Sequence, residues 1–368
     1  MKIALFIHTL SGGGVERSTI RLAKHFVKLG HQVDIVTFVG AGDMRLEAEK
    51  VARIIDFHAP WWIGRALKYL SYLWRNDPDI VIAATSGPNM LASLANGPFS
   101  RRRPVILSER IWDRFLHDRQ RRWRAVALQK LMRVAYRRAS AIVAVSRGVA
   151  ERLSQLPRLR RDRIHVIYNP VWGPEIEALA REPVTDAGFD HADIPTIVSV
   201  GRLSSEKDFA TLLRAFAMVR RRRSVNLVIL GEGSMRGALE ELVRNLGIVD
   251  DVFMPGYVAN PFPHMAGADL FVLTSTSEGF GNVLVEAMGC GTPIVSTDCP
   301  VGPSEILAGG RYGMLVPVGD TVALAAAIEA QLDNPTSADH LRQRAREFSV
   351  EAAASAYLKL ADSLRGRP

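Results

Sequence analysis

Ser277-Glu278-Gly279-Phe280-Gly281-Asn282-Val283-Leu284-Val285-Glu286-Ala287-Met288-Gly289 decides how the chain folds. An apolar run over 269–273 precedes it and predicts a buried strand ending in Thr274-Ser275-Thr276. Glycines at 279 and 281 allow backbone to approach a ligand closely, and the composition of 282–288 is helical. A negative group docked at such a strand–glycine–helix turn meets free N–H groups and the positive end of the helix dipole. Glu278 precedes the helix and Glu286 lies two turns in, roughly 12 Å apart if the separation were helical. That is too far for one acid/base pair at a single bond. It fits a ligand with an anionic middle and hydroxyls at both ends, and equally an ordinary strand–helix unit with two solvated glutamates.

The chain has 368 residues, more than a single core usually holds, so two domains are expected. Its longest apolar runs are strand-length, and residues 1–7 predict a first strand with no leader or spanning helix. Cys290 and Cys299 are too few for a disulfide framework, which fits a reducing cytoplasm. No Cys/His spacing predicts a metal site. The net charge of +9 is divided unevenly. Residues 1–180 carry 30 Lys/Arg against 15 Asp/Glu, and the remainder 17 against 23. A basic half beside an acidic half predicts an oriented electrostatic partner for the first.

In the first half, strands are predicted over 3–10, 33–39, 52–57, 79–85, 104–108, 141–145 and 164–168, with helices between most of them. That alternation predicts a parallel, doubly wound sheet. Gly12-Gly13-Gly14 after the first strand is a phosphate-cradle candidate. A dinucleotide fingerprint fails there, because Arg17 stands where the third glycine should let helix pack on strand, so no nicotinamide cofactor is expected. Asp77-Pro78-Asp79 matches an Asp-x-Asp metal signature but precedes a strand, where it predicts a turn and no site.

A helix over 61–75 places Ile63, Leu67, Leu70, Trp74, Ala66 and Leu73 on one side. Arg65, Lys68, Arg75, Trp61 and Tyr72 fall opposite. Aromatic and basic residues on one outer face suit a membrane interface, and an ordinary surface helix packing its apolar stripe on the sheet fits as well. From 101 to 163 there are 19 basic and 5 acidic residues, including Arg101–Arg103 and Arg121, Arg122 and Arg124. No nucleic-acid motif accompanies them; an anionic bilayer explains the run, as does a solvated basic face.

Residues 175–195 mix acids and prolines without periodicity and read as a linker region. The βα rhythm then restarts with Gly201-Arg202-Leu203-Ser204-Ser205-Glu206-Lys207 after a strand over 196–200. Two cations at a strand's carboxyl end can neutralise a diphosphate without a metal; a plain surface loop is the alternative. The expected domains are 1–180, a linker at 181–193, and 194–349. A final amphipathic helix in 350–368 could pack on either half.

With these motifs in order, the chain resembles glycosyltransferase family 4, retaining enzymes of the GT-B fold: α/β, two doubly wound Rossmann-like domains with a cleft between them. The resemblance rests on Gly12-Gly13-Gly14 with Glu16-Arg17, Gly201-Arg202-Leu203 with Glu206-Lys207, and Glu278 to Glu286 followed by Gly289-Cys290-Gly291-Thr292-Pro293. It implies that Arg202 and Lys207 hold a donor diphosphate, Glu286 the ribose hydroxyls and Glu278 the transferred sugar. Gly279, Phe280, Gly281, Asn282 and Val283 would border the sugar and phosphate, Gly201 the diphosphate loop, and Tyr257 and Val258 the base. Gly13 and Gly14 would close on the donor from the other domain. Many relatives carry a His after the strand equivalent to 104–108; here Glu109 and Arg110 stand there, and His117 is the nearest histidine. Either that pair or His117 would contact sugar or acceptor. The implied activity is metal-independent hexosyl transfer from a nucleotide-diphosphate sugar, with UDP as the expected base carrier and no cofactor. The implied acceptor is a polyprenyl-diphosphate-linked saccharide of bacterial surface-glycan assembly, reached from the cytoplasmic face of the membrane. A soluble-acceptor transferase and a GT-B sugar-nucleotide epimerase are the alternatives.

Overall fold

The computed structural model describes residues 1–59, 61–95, 103–110, 131–184 and 194–365. They form two units, Met1–Pro170 with Val350–Pro368, and Val171–Ser349.

The first unit runs β1 (Lys2–Thr9), α1 (Gly14–Lys28), β2 (Gln32–Val39), α2 (Arg45–Glu49), β3 (Arg53–Asp56), α3 (Trp62–Asn76), β4 (Ile80–Ala84), α4 (Ser86–Ala95) and β5 (Val105–Glu109). It continues through α5 (131–138), β6 (Ala141–Ala144), α6 (Arg147–Ser154) and β7 (Ile164–Val166). The strands form one sheet in the order β3-β2-β1-β4-β5-β6-β7. Every pairing is parallel: Ile3 lies beside Val33 on β2 and Ile80 on β4. Covered on both faces, such strands carry unbroken apolar runs, and Ile3–Ile7 are fully buried.

The second unit comprises α7 (Pro174–Leu179), β8 (Thr196–Val200), α8 (Phe209–Arg220), β9 (Asn226–Leu230), α9 (Arg236–Leu246), β10 (Val252–Gly256), α10 (Phe262–Gly267) and β11 (Leu270–Leu273). It ends with α11 (Asn282–Cys290), β12 (Ile294–Thr297), α12 (Pro303–Ile306), β13 (Met314–Val316), α13 (Thr321–Asp333) and α14 (Ala338–Arg346). Its parallel sheet is ordered β10-β9-β8-β11-β12-β13. In each sheet the strand order reverses once, between β1 and β4 and between β8 and β11. Those switch points are where open α/β sheets bind ligands, beyond the strands' carboxyl ends.

The final helix, α15 (Val350–Arg365), buries Ala354, Tyr357 and Ala361 in the core that Ile3, Leu5 and Phe26 share, and lies on α1 in the first unit. Among the described residues no helix is long and apolar enough to cross a membrane.

Two expectations need correction. Residues 171–180, assigned from sequence to the first domain, belong to the second unit. The Val171 and Trp172 amides both donate to the Phe348 carbonyl, and the Trp172 ring lies against Gly289 in α11. The outward face of α3 also differs. Its apolar stripe does not pack on the sheet; Tyr69, Tyr72 and Leu73 do. Tyr69 stacks on Phe6 with ring centroids 5.3 Å apart, and the Tyr72 hydroxyl donates to Asp34 Oδ2 at 2.8 Å. Asp34 in turn receives two hydrogen bonds from Arg53. Tyrosine brings a large apolar ring with a polar tip: Tyr72 sets its tip on the buried Asp34 carboxylate and Tyr69 stacks its ring on Phe6, which turns these two inward.

Asp77 and Asp79 are structural. The Lys2 amide and Arg365 both donate to Asp79, and Arg103 pairs with Asp77, which has the left-handed φ of a turn.

Candidate active site

The second unit gathers its predicted residues along one edge of the sheet. After β8 the chain enters Gly201–Asp208, a loop stitched to the Gly231-Glu232-Gly233 turn that follows β9. Leu203 N donates to Glu232 O at 2.9 Å, and Met235 N to Leu203 O at 3.0 Å. The glycines make this contact: a Cβ on Gly231 would lie 1.9 Å from Gly201 O, and one on Gly233 2.3 Å from Leu203 O. Fully buried Leu203 anchors the loop, leaving Arg202 exposed beside it. The turn Ser205–Lys207 then delivers Lys207 to the switch point, and Asp208 caps α8 by accepting from Thr211 N.

Glu278 comes from the other side of that switch point, after β11. Lys207 Nζ donates to Glu278 Oε1 at 2.5 Å, and Ser275 Oγ donates to the same oxygen at 2.7 Å. The pair is largely enclosed, its side chains 20% and 12% exposed. Thr274 Oγ1 donates to Lys207 O, and Thr276 N to Glu206 O, which clamps the two strand ends together. Gly279-Phe280-Gly281 leads into α11, where Gly281 takes a left-handed φ of 100°. Gly302 packs so tightly on this turn that a Cβ would lie 2.0 Å from Phe280 O. Phe280 is buried edge-on to Phe348, and Asn282 and Val283 open the first turn of α11. Glu286 is buried in the second.

Tyr257 and Val258 follow β10. The Gly231 amide donates to Gly256 O at 2.7 Å, and Arg236 braces Met254 O while pairing with Glu232 and Glu240. Tyr257 is left exposed at the edge. The two thiols near the glutamates are buried: burial, then Glu286, pushes Cys290 up to about 12, and burial, then Glu278, pushes Cys299 up to about 11, which disfavours the thiolate. No group of three or more His, Cys, Asp or Glu able to hold a metal occurs among the described residues.

The first unit presents a different arrangement at its own switch point. Gly12 has φ of 94°, Gly13 is the N-cap of α1, and the Glu16 carboxylate folds under Gly13, where a Cβ would meet it at 2.7 Å. Glu109 ends β5 almost fully buried, accepting from the Tyr136 hydroxyl and from Arg110 N. Arg110 is buried with Nε and Nη1 lacking hydrogen-bond partners, and burial lowers its pKa below the ordinary arginine value. The structure thus brings Glu109 and Arg110 to the edge of the sheet near Glu16; His117 lies outside the described residues.

Sequence reading passed over His8 as part of an apolar strand. It is the exposed residue at the end of β1, edge-on to Phe38 at 5.5 Å, and its Nδ1 lies 3.7 Å from where a Gly87 Cβ would be. Desolvation and then Arg65 lower its pKa. A histidine two residues from the end of a buried strand, just before a glycine loop, was the available signal.

Two parallel doubly wound units, each with glycine loops at the carboxyl edge of its sheet, define the GT-B class. Solved structures agree: Anabaena HepE aligns with a TM-score of 0.82 at 23% identity, covering 99% of this chain and 100% of that one. WaaG, a glycosyltransferase of lipopolysaccharide biosynthesis, aligns at 0.71 and 17%, covering 99% and 100%. The Glycosyltransferase Family 4 profile matches residues 12–171, and the Glycosyl transferases group 1 profile matches 194–334. The lipopolysaccharide core biosynthesis glycosyltransferase LpsE of Rhizobium meliloti is 30% identical over 98% of both chains. A Campylobacter jejuni N-acetylgalactosaminyltransferase acting on a diphospho-undecaprenol-linked sugar is 26% identical, over 98% of this chain and 96% of its own. The chain belongs to glycosyltransferase family 4.

Proposed function

We propose that the protein is a retaining, metal-independent hexosyltransferase. It moves a sugar from a UDP-sugar to a lipid-linked glycan acceptor in bacterial surface-polysaccharide assembly. The observation that carries this reading is the Lys207–Glu278 pair, which bridges the switch point of the second sheet with Arg202 on the same loop. The arrangement supplies two cations for a diphosphate and one carboxylate for sugar hydroxyls.

When the donor docks, its diphosphate takes the cation of Lys207 and that of Arg202, and Glu278 turns to the hydroxyls of the transferred sugar. Glu286 accepts from the ribose, the amides at the start of α11 meet sugar and phosphate, and Tyr257 and Val258 border the base. In the first unit, Gly13 and Gly14 serve the donor, and Glu109 and Arg110 the sugar or acceptor. As the C1–O bond to the diphosphate breaks, charge grows on the departing oxygen, where preorganised cations and amides stabilise it most. In the same-face displacement the acceptor oxygen bonds to C1 and its proton passes to the departing phosphate, so no protein nucleophile is required.

Three comparisons support the donor and acceptor assignments. HepE was solved with UDP and with UDP-glucose, LpsE is named for lipopolysaccharide core synthesis, and the Campylobacter relative for a diphospho-undecaprenol acceptor. The basic first half would hold the enzyme on the anionic inner face of the plasma membrane, at about 1 kcal/mol per cation close to the surface. Transfer assayed with EDTA present, with the product anomer read by NMR, tests the chemistry. Full activity and retained configuration are expected; activity restored only by Mg²⁺ or Mn²⁺, or an inverted anomer, overturns the corresponding part.

A further inference from the structure

Helix α3 presents its apolar stripe to solvent. Ile63, Leu67, Leu70 and Trp74 recur at i, i+4, i+7 and i+11 and so share one face. Their exposures are 76%, 63%, 37% and 82%, and Trp61, just before the helix, is 76% exposed. A soluble surface normally scatters such residues; four of them along one helix face mark a contact surface.

The helix is held in this orientation from its other side. Tyr69, Tyr72 and Leu73 are buried, and Trp62 rests edge-on against Phe38. The cations that the sequence placed on an outer face brace the helix from the flank. Arg65 Nε donates to Ala59 O at 2.8 Å with its guanidinium over Phe38, and Lys68 Nζ donates to Phe57 O. The outward direction therefore belongs to the apolar residues.

We infer that α3 docks the protein on a lipid surface by inserting Ile63, Leu67, Leu70 and Trp74 at the headgroup–acyl boundary. The stripe is one side chain wide and about 17 Å long from Ile63 to Trp74. A stable dimer buries about 800 Å² on each partner, more than such a line offers. Trp74 stands at one end, where its amphipathic ring suits a membrane–water boundary. The helix has Arg65, Lys68 and Arg75 and no Asp or Glu, which complements anionic headgroups. An inserted stripe gives the attachment a component that salt does not screen. The inference deepens the proposed membrane-side function and rests on it for its purpose, while the stripe itself stands on exposure alone.

Co-sedimentation with phosphatidylcholine vesicles, with and without phosphatidylglycerol, at low and high salt, tests it. The proteins are wild type, the double variant Ile63→Ser/Leu67→Ser, and Trp74→Ser. These side chains are exposed, so the fold should persist, and thermal stabilisation by UDP checks that. The expected result is vesicle binding by wild type that persists in high salt, weakened about tenfold or more in the double variant. Wild-type tryptophan emission should shift to the blue on binding, and less so in Trp74→Ser. The inference is overturned if wild type and variants sediment alike, or if all wild-type binding vanishes in high salt. It is overturned equally if, without vesicles, wild type is a dimer and the double variant a monomer. If the variants lose vesicle binding but wild type transfers no sugar to a lipid-linked acceptor, the stripe stands and the functional reading falls.

Discussion

The two units carry the same architecture and opposite kinds of site. In the second, the polar groups at the switch point satisfy one another: Lys207 holds Glu278, Ser275 holds the same oxygen, and the strand ends are tied by Thr274 and Thr276. In the first, Glu109 is held by Tyr136, but Arg110 is buried with two nitrogens unpartnered, and α3 turns hydrophobic side chains outward. A switch point whose polar groups already bond one another is preorganised for a small ligand of fixed chemistry, which the proposed function makes a nucleotide sugar. Unsatisfied cation and exposed apolar surface suit a larger partner that brings part of the environment with it.

The largest expected effect tests the second unit. Arg202→Ala and Lys207→Ala should each cost about 3 kcal/mol or more of transition-state stabilisation, read as kcat/KM. Wild-type turnover in either variant removes the diphosphate site from this loop. A backbone test comes next: Gly231→Ala drives a Cβ to 1.9 Å from Gly201 O at a φ of 148°, and should cost roughly 3 kcal/mol in denaturant unfolding. An unchanged midpoint would mean that the two loops are not in contact.

Tyr136→Phe sharpens the other side of the comparison. It withdraws a donor from the buried Glu109 carboxylate and should cost about 1–3 kcal/mol of stability while leaving UDP binding unchanged. Loss of UDP affinity instead would make the Glu109 carboxylate part of the nucleotide site. His8 gives a pH test. Its pKa is lowered in the folded state from 6.5, so the unfolded chain binds the proton more tightly. Stability from this group is present above 6.5 and declines as pH falls below it. His8→Gln should flatten that part of the profile of melting temperature against pH; an unaltered profile would mean that His8 titrates freely. The smallest effect is chemical: Cys290 and Cys299 should resist iodoacetamide at neutral pH until the protein is unfolded.

The sheets were legible in sequence because strands covered on both faces are continuous apolar runs, and the loops because Gly201-Arg202-Leu203 and Glu278-Gly279 follow such runs directly. The Lys207–Glu278 pair was not legible, since 71 residues separate its members and only the adjacency of β8 and β11 brings them together. The orientation of α3 escaped for another reason. Helical periodicity finds an apolar face but does not say which residues win the interior, and here Asp34 holds Tyr72 while Phe6 stacks on Tyr69. The boundary after Pro170 was hidden because Trp172 and Ile176 pack on Gly289, a contact between segments remote in sequence.

Calorimetric titration of UDP into the full chain tests the account most directly. Binding should weaken sharply in Arg202→Ala and Glu286→Ala and stay unchanged in Glu109→Gln. Equal affinity in all of these proteins, or loss confined to Glu109→Gln, would contradict it.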